Sequence, residues 1–176
     1  ASADAYFATI AEAGIVLDEA ERQAQVLAQV KEVAASVNGE ALIEDDLLLE
    51  VTHLVEKPTA FLGKFPEEYL SLPRDVLIKT MQKHQRYFAV ESLKVEKFES
   101  SQVQPSNLPT FQPSTLLPYF IGVRNGDSDH LDIVTEGNEH VINARFADAN
   151  FFVRGDVKNP LETFRPELRT LTFQTE

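Results

Sequence analysis

The first strong pattern along the chain is a run of valines at helical spacing, at positions 26, 30, 33 and 37. Asp18 and Glu21 precede the run with the spacing of a capping box, in which side chains pair with backbone N–H groups of the first turn. Asn38 and Gly39 follow, a dipeptide typical of a helix stop. The pattern therefore predicts a scaffold helix with one apolar face.

Three more helical segments surround this one. A short helix is predicted over 4–13, with Gly14 ending it. The acidic residues 44–46 can cap another helix, and Pro58 ends its pattern. The residues of this helix predicted to face a core are Leu47, Val51, Leu54 and Val55. Pro73 suits the first turn of a helix that reaches Lys83. Its predicted buried side is Val76, Leu77, Thr80 and Met81.

Three segments have the aromatic and β-branched composition of strands, namely residues 59–65, 86–90 and 116–123. Pro118 lacks the N–H of a ladder hydrogen bond, so it must lie at a sheet edge or at a bulge. The second and third segments can pair as an antiparallel ribbon. Residues 92–115 between them contain three prolines and no glycine. Since this stretch has no sustained periodicity, we predict a long irregular insertion loop.

A long helix is predicted from Asp129, a suitable N-cap, to about Phe152. Gly137 inside it indicates a kink or a close approach by another backbone. Gly155 is expected to close this helix, and Pro160 to open a last one. The predicted fold is α+β: helices packed on a small, mostly antiparallel sheet over 1–156, with 157–176 beginning a further helical region.

Composition narrows the class of protein. The chain is 43% hydrophobic and 25% charged, which is ordinary for a globular domain. It holds no cysteine, which excludes disulfides and thiolate chemistry, and no apolar run of membrane-spanning length. Residues 1–68 contain 4 basic and 14 acidic residues, a balance of −10, against 12 and 14 in residues 69–176. An acidic first half repels nucleic acid, so phosphate contacts are expected from the second half.

The candidate phosphate contacts are basic residues of the second half. They are Lys79, Lys83, Arg86, Arg124 and Arg154. Lys79 and Lys83 are one helical turn apart and would form a joint site. Only Asp75 is a nearby counter-charge in sequence for the cluster from Arg74 to Arg86. The other interpretation of this cluster is a solvated helix face.

A second candidate feature lies on the long helix, where four polar residues are predicted to form a structural hub. They are Asn138, Glu139, Arg145 and Asp148. An Arg–Asp pair at this spacing, buried beside phenylalanines, can make charge-assisted hydrogen bonds that fix how the helix docks. The alternative is that Arg145 grips a phosphate of RNA.

Other chemistry receives less support from the sequence. Tyr87 and Phe88 could stack on an unpaired base, although aromatic strand residues usually belong to a core. The four histidines have no metal-ligand spacing, and no phosphate-binding loop is present. We predict no metal site, and no catalytic residue is assigned.

Several short motifs, taken in order, resemble the β subunit of the bacterial-type glycyl-tRNA synthetase. The motifs are LVEKP at 54–58, Leu-Pro at 72–73, Thr-Met at 80–81, QRYF at 85–88, LLPYF at 116–120, GNE at 137–139, ARFADA at 144–149 and Phe-Phe at 151–152. The resemblance covers nearly the whole chain except the segment 92–115, which is longer than expected. The chain is identified as an internal fragment of such a subunit.

The resemblance implies a role in attaching glycine to its tRNA in the cytoplasm, by an α2β2 assembly. In this family ATP, with Mg, is used on the α subunit, and the fragment itself is expected to hold no cofactor. The implied partners are the α subunit and glycine tRNA, with no membrane and no DNA.

Within the family, the fragment falls near a region similar to the B3/B4 part of phenylalanyl-tRNA synthetase β. It is expected to support tRNA acceptor-arm binding and subunit architecture. The alternatives are an interdomain or subunit-contact module that never touches RNA, and an editing-type hydrolase acting on mischarged tRNA.

Overall fold

A computed structural model describes residues 5–92, 116–158 and 160–166, and it contains a four-stranded antiparallel sheet with helices on both faces. The strands, in the spatial order β1-β3-β4-β2, are β1 Gly39–Ala41, β2 Pro58–Lys64, β3 Phe88–Ser92 and β4 Leu116–Asn125. The helices are α1 Tyr6–Glu12, α2 Glu19–Ala35, α3 Asp45–Leu54, α4 Arg74–Gln85, α5 Leu131–Lys158 and α6 Leu161–Phe164. The predicted α+β class is confirmed.

For two other predicted regions, the structure describes only part of the chain concerned. Most of the insertion loop predicted over 92–115 lies outside the described residues, and Ser92 ends β3. The domain division at residue 156 stays a prediction. α5 runs through that position to Lys158, so the helix does not end at Gly155.

The sheet is covered on both faces, because neighbouring residues of its central strands point into two separate cores. Tyr87, just before β3, and Ala89 pack toward α4 and α5. Phe88 and Val90 pack toward α2 and α3. All four are buried, as expected for a strand between two helical layers.

The start of α2 follows the sequence prediction. The Asp18 Oδ1 accepts a hydrogen bond from the Glu21 backbone N–H at 2.8 Å. The reciprocal half of the capping box is replaced, because Glu21 Oε1 accepts from the Gln25 side chain at 3.3 Å instead. One predicted core position of α3 is wrong. Leu54, its last residue, is 59% exposed, whereas Thr52 is fully buried and donates to the Leu48 carbonyl at 2.7 Å.

Pro118 lies in a central strand and at a bulge, which confirms one of its two predicted settings. Ala89 pairs with Phe120, and Glu91 pairs with Leu116. Three residues of β4, 117–119, therefore face a single residue of β3, and the ladder is interrupted there. On the other side of β4 the Pro118 carbonyl accepts from the Phe65 N–H at 3.1 Å, which needs no proline donor.

Two glycines make room for two aromatic rings between β2 and β4. Gly63 pairs with Phe120, and Gly122 pairs with Phe61. A Cβ at Gly63 would lie 2.1 Å from the Phe120 ring, and one at Gly122 would lie 2.3 Å from the Phe61 ring. The two rings meet edge to face with centroids 6.4 Å apart. Each strand thus supplies both a ring and the space for its partner's ring.

The outer edge of β2 is closed by side chains from both helical layers. From α2, Gln29 accepts from the Ala60 N–H at 2.8 Å and donates to the Pro58 carbonyl at 3.0 Å. From α5, Glu139 accepts from the Lys64 N–H at 3.0 Å. These contacts satisfy backbone groups that an edge strand otherwise presents to solvent or to another strand.

The long helix α5 begins at Leu131, so the N-cap position belongs to His130. Asp129, the predicted N-cap, lies one residue earlier. His130 adopts a φ of 56°, and the Asp129 carbonyl accepts from Arg124 at 2.6 Å. Gly137 is exposed, and no atom outside its own stretch of helix lies within 4 Å of the place that its Cβ would take. The predicted close approach of another backbone is therefore wrong among the described residues.

Candidate nucleic-acid interface

α4 places two of the candidate lysines on its solvent side. Leu77, Ile78 and Met81 are buried against the sheet, so the residues between them face outward. Lys79 and Lys83 are exposed and four residues apart, one turn of the helix. Neither ammonium group makes an ion pair within the described residues. We refer to these two exposed residues as the α4 lysine pair.

Arg86 caps the other end of this helix, with φ 56° and its N–H directed to the Gln82 and Met81 carbonyls. Its Nε donates to Glu50 Oε1 of α3 at 2.8 Å, which joins α4 to α3. The side chain is exposed, so this pair contributes little stability. Its charge is nevertheless matched, which weakens its candidacy as a phosphate contact.

Arg74 has a similar partner that the sequence did not reveal. Its guanidinium donates to Glu91 Oε1 at 2.9 and 2.7 Å, in addition to an ion pair with Asp75 at 3.7 Å. Asp75 is the only acidic residue near this cluster in sequence, but the fold adds Glu91 and Glu50 as counter-charges. Glu50 and Glu91 come from distant parts of the chain, and only folding brings them to α4.

A cleft of about 260 Å³ borders the α4 lysine pair. Its lining residues are Leu42, Glu44, Arg74, Asp75, Ile78, Lys79 and Gln82. Gln82 donates to Glu44 across it at 3.0 Å. Two carboxylates face two cationic groups here, so the cleft has no net preference for an anion. Lys79 stands at the rim of this cleft without an ion pair to a described residue, and Lys83 lies outside the cleft lining.

The two remaining candidates lie on other elements. Arg124, near the end of β4, donates to the Asp129 carbonyl and lies 3.9 Å from Asp127. Arg154, on α5, donates to Asn150 Oδ1 at 2.8 Å. Neither makes a hydrogen bond or ion pair with the α4 residues in the described part of the chain. Of the five candidates, Lys79 and Lys83 are therefore the two exposed residues whose side chains have no hydrogen bond or ion pair to a described residue.

The four residues predicted as a polar hub divide into two pairs. Asn138 accepts a hydrogen bond from the Tyr87 hydroxyl and donates to the Val134 carbonyl at 2.6 Å. Glu139 binds the edge of β2, as described above. Arg145 and Asp148 are exposed, with no hydrogen bond or ion pair to a described residue. The first pair docks α5 on the sheet, whereas the second faces solvent.

The aromatic pair after α4 is part of the core. Tyr87 is 4% exposed and stacks on Phe120 with centroids 4.4 Å apart, and Phe88 is fully buried. The Tyr87 hydroxyl donates to Asn138, and burial raises its pKa to about 12. Neither ring is accessible to stack on a base.

The histidines do not gather into a site. His53, His84, His130 and His140 are all exposed. His53 lies 3.4 Å from Glu19, and a ring nitrogen of His140 lies 2.9 Å from the Glu136 carbonyl. Across the described ranges, no three histidine, aspartate or glutamate side chains are arranged to hold a metal ion.

None of the helices in the described ranges is both long and apolar enough to cross a bilayer.

Comparison with known proteins identifies the class as a component of an aminoacyl-tRNA synthetase. The family model of the glycyl-tRNA synthetase beta subunit matches residues 1–176. The chain belongs to this family, which confirms the resemblance found in its motifs.

Relatives agree over nearly the full length of the chain. It is 43% identical over 171 residues to the glycine–tRNA ligase beta subunit of Trichodesmium erythraeum, which covers 97% of the chain and 22% of that protein. The corresponding protein of Synechocystis is 45% identical over 171 residues, covering 97% of the chain and 21% of the relative. That of Clostridioides difficile is 43% identical over 175 residues, covering 99% and 22%. The chain thus spans about a fifth of the length of the curated relatives it matches.

Proposed function

We propose that this region is a non-catalytic support within a glycine–tRNA ligase, and that it contacts the tRNA near its acceptor arm through the α4 lysine pair. In this proposal an α subunit, in an α2β2 assembly, uses ATP with Mg to attach glycine. No residue of the region is assigned to ATP, to Mg or to the reacting atoms. Family membership supports the setting, and the surface of α4 supports the contact.

The observation that carries the proposal is the difference between Lys79 and Lys83 and the paired arginines. Arg74, Arg86 and Arg124 each have an acidic partner within 3.9 Å. The two lysines have none among the described residues, and both stand on a helix fixed by the buried Leu77 and Met81. Since a phosphate contact requires a cation that can exchange its counterions for phosphate oxygens, unpaired lysines on a rigid helix suit it.

The charge of the rest of the chain limits how RNA can approach. The full chain carries a net charge of −12, most of it in the first 68 residues. An RNA backbone is repelled by that half, so its approach is restricted to local basic positions of the second half, such as the α4 lysine pair. A weak, oriented contact is therefore expected from this region, with most of the binding energy supplied by other parts of the ligase.

The test is tRNA binding by the full-length beta subunit together with its α partner, measured as a function of salt. Lys79→Ala with Lys83→Ala removes two phosphate contacts. Because each contact contributes roughly 0.7–0.9 to the slope of log affinity against log salt, the slope should fall by about 1.5. Affinity at low salt should fall with it.

The matched control removes two other exposed lysines, Lys31→Ala with Lys64→Ala, which makes the same change in net charge. This variant should keep the wild-type slope. If the α4 variant also keeps that slope, or both variants lower it equally, the RNA contact is refuted. The region would then be better described as a structural module that does not touch RNA.

A further inference from the structure

The long helix α5 has two apolar faces, and only one of them meets the sheet. Ile142 is fully buried, whereas Phe151, nine residues later, is 74% exposed. Nine residues make two and a half turns, so the two side chains point in opposite directions. Phe151 therefore cannot reach the core that Ile142 occupies.

The exposed face carries large apolar side chains near its start, at one position between, and toward its end. Its members, the outer apolar stripe, are Ile133, Val141, Phe151 and Phe152. Ile133 and Phe151 are eighteen residues apart, which is five turns, so they lie on one line along the helix. Gly137, between them, has open space where a side chain would stand. A partner backbone can approach closely at that point.

α2 provides an internal reference for this stripe. Its exposed positions are charged residues or alanines, and none of the large exposed hydrophobic residues lies on it. A single exposed apolar side chain would need no explanation. Four along one face of a helix, including two phenylalanines in an edge-to-face pair at 5.6 Å, are typical of a covered surface.

Charge around the stripe favours a protein partner over RNA. Arg145, Asp148, Arg154 and Asp156 border the phenylalanines at helical spacing, so positive and negative residues are balanced. Asp148 is one turn from both Phe151 and Phe152, where it would repel a phosphate backbone. An apolar centre with a mixed polar border is the usual composition of an interface between protein domains.

The length of the relatives points to the source of that partner. The chain covers only 21–22% of the relatives described above, so nearly four fifths of such a polypeptide lies outside this region. We propose that the outer apolar stripe is covered, in the full-length beta subunit, by another segment of the same polypeptide. A segment joined covalently has a high effective concentration, which favours it over a separate molecule. This inference rests on the architectural part of the proposed function and is independent of its RNA contact.

The experiment places a photo-crosslinking benzophenone amino acid at position 151 of the full-length beta subunit, assembled with α. We expect cross-links to residues of the same polypeptide outside the matched region. Mixing isotopically heavy and light subunits separates links within one chain from links between two copies. The same probe at position 54, where Leu54 is exposed on α3, should give few such links.

A link from position 151 mainly to α, to tRNA or to a second beta chain would overturn the proposal, and so would the absence of links. A second measurement uses Phe151→Ser with Phe152→Ser in the same assembly. Amide exchange over residues 147–158 should quicken roughly tenfold if a packed interface is lost. The control Leu49→Ser with Leu54→Ser should leave that exchange unchanged. Unchanged exchange in the phenylalanine variant would also overturn the proposal.

The two proposals fail separately. The phenylalanine variant should keep the wild-type salt slope of tRNA binding, because the α4 lysine pair is intact. The lysine variant should keep the cross-link from position 151.

Discussion

The two long helices of the molecule, α2 and α5, cover opposite faces of one sheet and differ in what they leave outside. α2 has 17 residues, buries Val26, Val30 and Ala34, and presents only charged residues and alanines outward. α5 has 28 residues, buries Ile142 and Phe146, and carries the outer apolar stripe on its far side. α2 itself therefore leaves no large apolar side chain uncovered, whereas the outer face of α5 does, which is why we propose that this face receives another surface.

The two cores beneath these helices also differ, in the kind of side chain that fills them. The core under α2 and α3 is almost entirely aliphatic, apart from Phe88. The core under α4 and α5 contains Phe61, Phe65, Phe120 and Phe146. Its polar contacts reach α5 through Asn138. The hydrogen bonds of Asn138 to Tyr87 and of Glu139 to the Lys64 N–H fix α5 in one orientation, so its exposed residues are presented in fixed positions.

The largest expected effect separates the two faces of α5. Phe146→Ala removes a fully buried ring that lies edge to face with Phe65 at 4.9 Å, so it should lower the free energy of unfolding by about 3–5 kcal/mol. Phe152→Ala, on the exposed face, should change it by less than about 0.5 kcal/mol in this 176-residue chain. Urea unfolding followed by circular dichroism measures both. Equal losses in the two variants would contradict the assignment of the faces.

Val30→Ala extends this test to α2. Val30 is fully buried, but its removal leaves a smaller cavity than the loss of a phenylalanine ring, so the cost should be lower than for Phe146→Ala. If Val30→Ala cost more, the α2 core would be the less adaptable of the two, and the comparison would need to be reversed.

An effect of intermediate size on stability is expected from the hydrogen bond between the Tyr87 hydroxyl and Asn138 of α5. The pKa of Tyr87 is raised to about 12 in the folded state against 10 in an unfolded chain. The folded state therefore holds this proton more tightly, and the resulting stability is fully present below pH 10 and is lost as pH rises through 12. The slope should be about 1.4 kcal/mol per pH unit in that window.

Tyr87→Phe is the control for the alkaline loss. It should remove this part of the pH dependence, while costing roughly 1–2 kcal/mol at neutral pH because Asn138 loses its donor. Urea unfolding at a series of pH values, from about one unit below the unfolded pKa of 10 up to the folded pKa of about 12, gives the pH dependence of stability. The same method at neutral pH gives the cost of losing the hydroxyl. An unchanged alkaline limb in the variant would assign the loss to other groups.

The smallest effect compares the two contacts at the edge of β2. Gln29→Ala leaves the Ala60 N–H and the Pro58 carbonyl without their partners, whereas Glu139→Ala frees only the Lys64 N–H. We expect a loss of about 1–2 kcal/mol for the first and about 0.5–1 kcal/mol for the second. Amide exchange at Ala60 and Lys64 should rise selectively in the matching variant. A rise at both sites in either variant would indicate that the edge opens as one unit.

Much of this architecture could be predicted from local pattern. Strands β2, β3 and β4 and helices α2 to α5 lie where spacing and composition placed them, because caps and periodicity act within a few residues. β1 was missed because Gly39 was taken only as a helix stop. In the folded chain Gly39 begins a three-residue strand, and a Cβ there would lie 2.4 Å from the Val90 side chain.

The candidate site was less predictable, because its properties depend on residues that are distant in sequence. Glu50 and Glu91 neutralise Arg86 and Arg74 from other elements. The orientation of α5 similarly leaves Arg145 exposed, whereas the predicted polar hub required it to be buried beside phenylalanines. Helical periodicity grouped Asn138 with Arg145 and Asp148, but it could not say which part of α5 meets the sheet, and only Asn138 of these three docks there.

The interlocked rings and glycines of β2 and β4 carry one more consequence, which concerns mispairing during folding. A slip by two residues in one direction would set Phe61 opposite Phe120, and a slip in the other direction would set Gly63 opposite Gly122 and leave a void. Both alternatives are penalised by shape alone. The pair of strands therefore accepts a single alignment, which also sets where the Lys64 N–H meets Glu139 and so helps to orient α5.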